Sequence, residues 1–316
     1  MDLIRRKHNN ILLHRVNIGE KTISIPVAQL GSGAGKTILI TAGLDGDEYA
    51  GIEAAYTLID HYAKTKFSGR LIIIPILNIP GFEAGMSWNP LDNKYPKHIF
   101  PGKEKGSSSE KLMHWLSSSF IQNTDLWIDL HSGASTEVLA SYIDIADIQR
   151  KNPAVLLRDC LQKIKAERIV LSRNSFTENI AKKNTAYIRL ESGQLGQRNK
   201  KDIKQHIDWV KQIFSSFVIA RSVATRQSKK KLATKIVYRN LREFLATENG
   251  IWSPSVHTAR LQNNKALGEV RSLDGKILQK ITAKENGVFL WRREAMYCKK
   301  GDSLYAYAYQ KQSLSC

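Results

Sequence analysis

The chain has 316 residues, 42% of them hydrophobic and 24% charged, with a formal net charge of +19. This composition excludes a disordered or collagen-like chain, and the length allows one large domain or two ordinary ones. The basic balance comes without a zinc finger, a basic zipper or an RNP-like aromatic strand, so it points to small anionic molecules and not to nucleic acid.

The first predicted element is a strand over 37–43, TILITAG, a continuous apolar run. A helix over 48–65 follows, with Ile52, Ala55, Tyr56, Ile59, Tyr62 and Ala63 on one face. RLIIIPILN over 70–78 is a second buried strand, and a Ser-led helix over 108–122 places Leu112, Trp115, Leu116 and Phe120 together. Strands are predicted over 125–131, 138–144, 168–173 and 185–191, and helices over 153–167 and 201–220. Strand–helix alternation with non-alternating Ile/Leu/Val runs implies a mostly parallel mixed sheet flanked by helices, an α/β fold.

A basic stretch over 221–235, RSVATRQSKKKLATK, reads as a linker between a domain over 1–220 and a smaller all-β domain over 236–316. In the latter, Asn249-Gly250, Asp274-Gly275, Asn286-Gly287 and Gly301-Asp302 separate short apolar runs, which predicts hairpins. GSGAGKT at 31–37 imitates a phosphate-binding loop. The motif needs a glycine where Leu30 stands and a helix after Lys36-Thr37, where a strand is predicted, so a Gly-rich turn between strands is the better reading.

MDLIRRKHNN has no apolar signal core, and no run is long enough to span a bilayer. Cys160, Cys298 and Cys316 are far apart and form no CxxC pair, which fits a reducing compartment. A cytoplasmic protein without membrane contact is expected, with room for a homo-oligomer.

Three apolar runs end in polar loops that carry metal-ligating side chains. The first leads to Asp45 and Glu48, the second to His131 and the third to Glu191. In open α/β sheets ligands gather outside the carboxyl ends of strands. Three converging donors with an open position make a metal centre, and a Glu outside it can carry protons. Each residue also has a plainer reading. Asp45-Gly46 is turn chemistry, with Asp47 and Glu48 favouring the start of the next helix. His131 is a core histidine with Asp129 as its orienting neighbour or an unrelated carboxylate. Glu191 pairs with Arg189 or another base.

These residues resemble a known family. GLDGDEYAG is similar to the HGDEYxG-type loop of the succinylglutamate desuccinylase/aspartoacylase family, zinc carboxypeptidase-like hydrolases. NIPGFEAGMSWNPLDNKYPKHIFPG over 78–102, DLHSG and LESGQLG resemble three further segments of that family in order. The resemblance implies a zinc carboxypeptidase-like fold with a C-terminal barrel-sandwich domain, lacking a Met-Lys-Met carrier hairpin. It implies a deacylase with one divalent metal per chain, Zn²⁺ first and Mn²⁺ or Fe²⁺ as alternatives. Asp45, Glu48 and His131 are then the metal ligands, Glu191 the general base and acid, and Asp129 a second layer behind His131. Lys97, His98 and Asn78 meet a small anionic substrate. Asp45 replaces the family's first histidine, Lys97 and His98 replace an Asn-Arg pair, and Ser87 stands at an arginine position. The competing expectation is a catalytically silent relative that binds an anionic ligand or a protein.

Overall fold

In the computed structural model, residues 9–33, 35–146, 151–218, 234–255 and 258–315 are described, so most of the basic stretch over 221–235 lies outside the described residues. The first strands are β1 (Ile11–Asn17), β2 (Thr22–Leu30), β3 (Thr37–Ala42) and β4 (Arg70–Ile74), with α1 (Tyr49–Tyr62) after β3. Then come α2 (Ile79–Ala84), α3 (Ser108–Ser119), β5 (Leu126–His131), β6 (Glu137–Leu139) and β7 (Tyr142–Ala146). α4 (Lys151–Lys163), β8 (Ile169–Ser172), α5 (Ser175–Lys182), β9 (Ala186–Glu191) and α6 (Lys200–Val218) complete this part. The strands β10 (Thr234–Leu245), β11 (Gly250–Pro254), β12 (Arg260–Leu261), β13 (Ala266–Arg271), β14 (Ile277–Thr282), β15 (Gly287–Arg293), β16 (Tyr297–Cys298) and β17 (Ser303–Ser315) follow.

A large mixed sheet runs in the order β1-β2-β4-β3-β5-β9-β7-β8-β10-β17-β15-β12. Its centre is parallel: β4, β3, β5 and β9 are parallel neighbours. Helices pack against these strands, whose side chains are mostly apolar. Ile38, Leu39, Ile40, Ile72, Ile73, Ile128 and Ile188 are buried in one core with Leu58 of α1 and Trp209 of α6. Burying each such side chain contributes roughly 1.5–3 kcal/mol. The β region after α6 is divided between two sheets. β10, β17, β15 and β12 extend the large sheet, while β14-β13-β11-β16 form a second one.

The helix over 108–122 forms as α3, closed by a capping box between Ser107 and Glu110, which satisfies two orphan N-terminal donors. The single strand expected over 138–144 is instead two. β6 pairs with β15, a pairing that the Ala140 N–H extends by donating to Leu290 O, and β7 runs antiparallel to β9. The Gly-rich turn over 31–37 does lie between two strands, β2 and β3, and β2 pairs with β1; β1, α2 and α5 lie outside the predicted elements. Of the four Gly turns, Asp274-Gly275 closes a hairpin, β13–β14. Asn286-Gly287 lies between β14 and β15, which belong to different sheets.

Candidate metal centre

Two close backbone approaches place the first donors. A Cβ on Gly46 would lie 2.2 Å from the Gly81 carbonyl carbon, and one on Gly51 would lie 2.7 Å from Leu130 O. Only glycine lets the 45–48 loop sit on α2 and lets α1 press onto β5. Glu48 is the N-cap residue of α1 and its side chain makes no cap bond. Its Oε2 instead accepts the Ser132 N–H at 2.9 Å, just past β5. The positive end of α1 further favours a carboxylate there.

Register does the rest. His131 and Glu191 are directly paired on β5 and β9, and Glu191 pairs with Tyr142 on β7. Two residues earlier, Asp129 pairs with Arg189 and Arg189 with Asp144. Side chains alternate along a strand, so both rows lie on one face of the sheet. The upper row reads His131–Glu191–Tyr142 and the lower Asp129–Arg189–Asp144.

Asp45, Glu48 and His131 are buried, and one potential ligand atom from each lies within 4.8 Å of the others. His131 Nδ1 is 2.8 Å from Glu48 Oε2 and 3.7 Å from Asp45 Oδ2. Its Nε2 is 3.0 Å from Asp129 Oδ2. A carboxylate only accepts, so Nε2–H donates to Asp129 and Nδ1 faces the donor cluster. Asp129 is itself held by Thr41 Oγ1 at 2.5 Å and by Tyr187 OH at 3.2 Å. Asp45 Oδ1 is buried without a hydrogen-bond partner, which costs stability unless something positive occupies it. Two carboxylates, one of them with an orphan oxygen, and one imidazole fit a divalent cation.

The electrostatics agree. Burial alone would push His131 down, but Glu48 and Asp129 on its two nitrogens hold its pKa well above the ordinary value. Burial raises Glu48 far above the usual carboxylate range, against His131. For Asp45, burial is outweighed by Lys97 and His131, so its pKa falls. Without a metal the cluster retains protons that a cation would displace.

Glu191 lies outside this cluster. Burial raises its pKa, opposed mainly by Arg189. Arg189 Nε is 3.2 Å from Glu191 Oε1, a charge contact and not a directed hydrogen bond, while its Nη2 donates to Asp144 Oδ2 at 2.6 Å. The plainer reading of Glu191 as a partner of Arg189 is therefore also visible, and the two are compatible.

The residues expected at the substrate divide. Lys97 donates to Asp45 Oδ2, and its pKa rises because Asp45 and Glu48 outweigh burial. His98 stacks near Tyr95 with ring centroids 5.3 Å apart, and burial followed by Lys97 lowers its pKa. Asn78 is fully buried; its Oδ1 caps α2 at Gly81 N and its Nδ2 donates to Ser87 O, so its amide is engaged within the chain. Ser87 Oγ donates to Asp47 Oδ1 at 2.7 Å, tying the 78–102 segment to the donor loop.

Sequence reasoning missed Glu137, Asp144 and Tyr142. Burial pushes Glu137 up to about 7, with Lys97 opposing. One signal for this face was the alternation of Tyr187, Arg189 and Glu191 within an otherwise apolar strand.

Comparisons with known proteins follow the same lines. The profile of the succinylglutamate desuccinylase/aspartoacylase catalytic domain matches residues 34–216. An N-alpha-acetyl-L-2,4-diaminobutyric acid deacetylase of Halomonas elongata is 36% identical over 134 residues, covering 41% of this chain and 39% of the relative. The match thus spans well under half of that enzyme's length. The structure of a succinylglutamate desuccinylase/aspartoacylase from Rhodobacter sphaeroides superposes with a TM-score of 0.77 at 20% identity, over 98% of each chain. The product-bound ectoine utilization protein EutE (DoeB) from Ruegeria pomeroyi gives 0.75 at 21% identity, over 95% of this chain and 94% of that one. At these identities the two structures establish a common fold.

Proposed function

The chain belongs to the succinylglutamate desuccinylase/aspartoacylase family, and from that membership we propose that it is a metal-dependent amidohydrolase that deacylates an N-acyl amino acid or a related anionic compound. The observation that carries this reading is the buried Asp45–Glu48–His131 cluster with Glu191 beside His131 on the next strand. The deacetylase relative makes an N-acetylated small amino acid the first substrate class to try.

Asp45, Glu48 and His131 hold the divalent ion, with zinc as the first choice. Bound there, the ion supplies Lewis acidity to the scissile carbonyl and acidifies the attacking water. Glu191 takes the proton from that water and delivers it to the leaving amine. Asp129 fixes the His131 tautomer, and Arg189 keeps the Glu191 carboxylate in place. His98 and the Lys97 N–H bonds not taken by Asp45 meet the anionic end of the substrate. A location in the cytoplasm accords with this metabolic role; among the described residues no helix is long and apolar enough to cross a membrane.

One observation favours a second reading. The Lys97 ammonium already contacts Asp45, so the cluster holds a cation of its own, as a silent relative's site would. Metal analysis of the tag-free full chain, with hydrolysis of N-acetyl amino acids, separates the two. The enzyme reading expects about one divalent ion per chain, and loss of ion and activity together in His131→Ala. A wild type with neither ion nor turnover leaves the silent relative.

A further inference from the structure

Asp45 and Glu48 bring two carboxylates to the centre, one more than a site with a single carboxylate and two imidazoles would carry. The structure also supplies a positive charge. Lys97 Nζ donates to Asp45 Oδ2, and the Lys97 side chain is 28% exposed against 1% for Asp45. This contact commits one oxygen of Asp45. The other, Oδ1, is buried and has no partner.

The lysine is held where it is. It lies on a short 3-10 turn over Pro96–Ile99, begun by a buried Pro96. Its ammonium sits over the Tyr95 ring, 5.7 Å from the centroid. Just beyond the turn, Phe100 is buried against Trp127 and Phe176 at 5.6 and 5.4 Å, and Asn179 Nδ2 donates to its carbonyl. A surface lysine pays rotamer entropy to form an ion pair, whereas this one is anchored from both sides.

We propose that Lys97 is a positioning residue of the metal centre: it neutralises the surplus charge of Asp45 and fixes that carboxylate so that the pair offers one oxygen donor with little net charge, as an imidazole would offer one nitrogen. The proposal rests on the reading that Asp45, Glu48 and His131 hold a divalent ion. It makes Asp45 and Lys97 one functional unit, so neither can be changed alone without altering the affinity and preference of the site. Ligating carboxylates are ordinarily oriented by such outer partners, and harder, more anionic donor sets shift preference from zinc toward manganese.

The test is a double-substitution cycle read by metal affinity at fixed pH. Zn²⁺ and Mn²⁺ are titrated separately against a chromophoric chelator into the full-length wild type, Lys97→Met, Asp45→His and the double variant. Lys97→Met should bind both ions about tenfold more tightly or better, since a cation has left the neighbourhood of the ion, with Mn²⁺ gaining more than Zn²⁺. Asp45→His alone should lose about tenfold or more, because the ammonium then faces the ion without its carboxylate. The double variant should return to within a few fold of wild type for Zn²⁺, and Lys97→Arg should keep the wild-type Zn²⁺/Mn²⁺ ratio. If Lys97→Met does not fold, Lys97→Gln enters the same cycle with the same expected results. A double variant that stays as weak as Asp45→His, or a Lys97→Met variant with wild-type affinities for both ions, overturns the proposal while leaving the metallohydrolase reading intact. A wild type that binds neither ion removes both.

Discussion

Arg189 and Arg242 each pair with a carboxylate, in two regions built on different terms. Arg189 reaches Asp144 and Glu191 on the covered face of the central sheet, and the Asp144 side chain is 3% exposed. Arg242 makes a bidentate pair with Glu285 on the C-terminal strands, through contacts of 3.1 and 2.7 Å, with both side chains about one-third exposed. The second pair has the better geometry and the smaller consequence. Water and salt screen it, while the first sits where every uncompensated charge is costly. Geometry alone therefore does not rank these charges; the surroundings do.

Four experiments break or sharpen this contrast. The largest effect on activity is expected at Glu191, the proposed proton carrier, which is buried beside the donor cluster. Glu191→Gln should lower kcat by about 10²-fold or more with metal content unchanged. Wild-type turnover in that variant would move the proton transfer elsewhere.

Next comes Arg189→Met, which strands Asp144 and Glu191 without their cation. Denaturant unfolding should show a loss of about 3–5 kcal/mol, as for other broken buried pairs. A loss below 1 kcal/mol would mean that water reaches this face.

His206 tests burial without a charge partner. It is fully buried, its Nε2 lies 2.9 Å from Ser192 O, and burial lowers its pKa from 6.5 to about 4. The unfolded chain therefore binds a proton that the folded chain refuses between those two values. Stability is intact above pH 6.5 and falls as pH drops toward 4, by about 3 kcal/mol in total. His206→Gln should flatten Tm against pH across that window; an unchanged slope would assign the acid sensitivity to other groups.

The smallest effect is expected at Arg242. A double-mutant cycle with Glu285 should give about 0.2–1 kcal/mol, falling with added salt. A coupling as large as that at Arg189 would erase the distinction between the two regions.

Local pattern settled much of the molecule. The apolar runs of β3, β5 and β9 and the helical stripes of α1 and α3 carry their own periodicity, so the α/β fold was legible. The family's ordered motifs marked Asp45, Glu48, His131 and Glu191, and the strand-end loops put all four at one end of the sheet. Elements whose identity depends on a partner were not legible. β6 and β7 looked like one strand because nothing local says that one pairs with β15 and the other with β9. Three of the four Gly turns connect strands of different sheets, since turn chemistry fixes a bend and not a partner.

At the centre the division has the same cause. The sequence by itself determined which donors exist, how far apart they lie in the chain and which strands deliver them. Tertiary structure decided that Lys97 contacts Asp45, that Asn78 is engaged in a helix cap, and that Arg189 stands between Asp144 and Glu191. Register and close backbone approach bring together residues tens of positions apart, and burial then fixes which of their charges are paired.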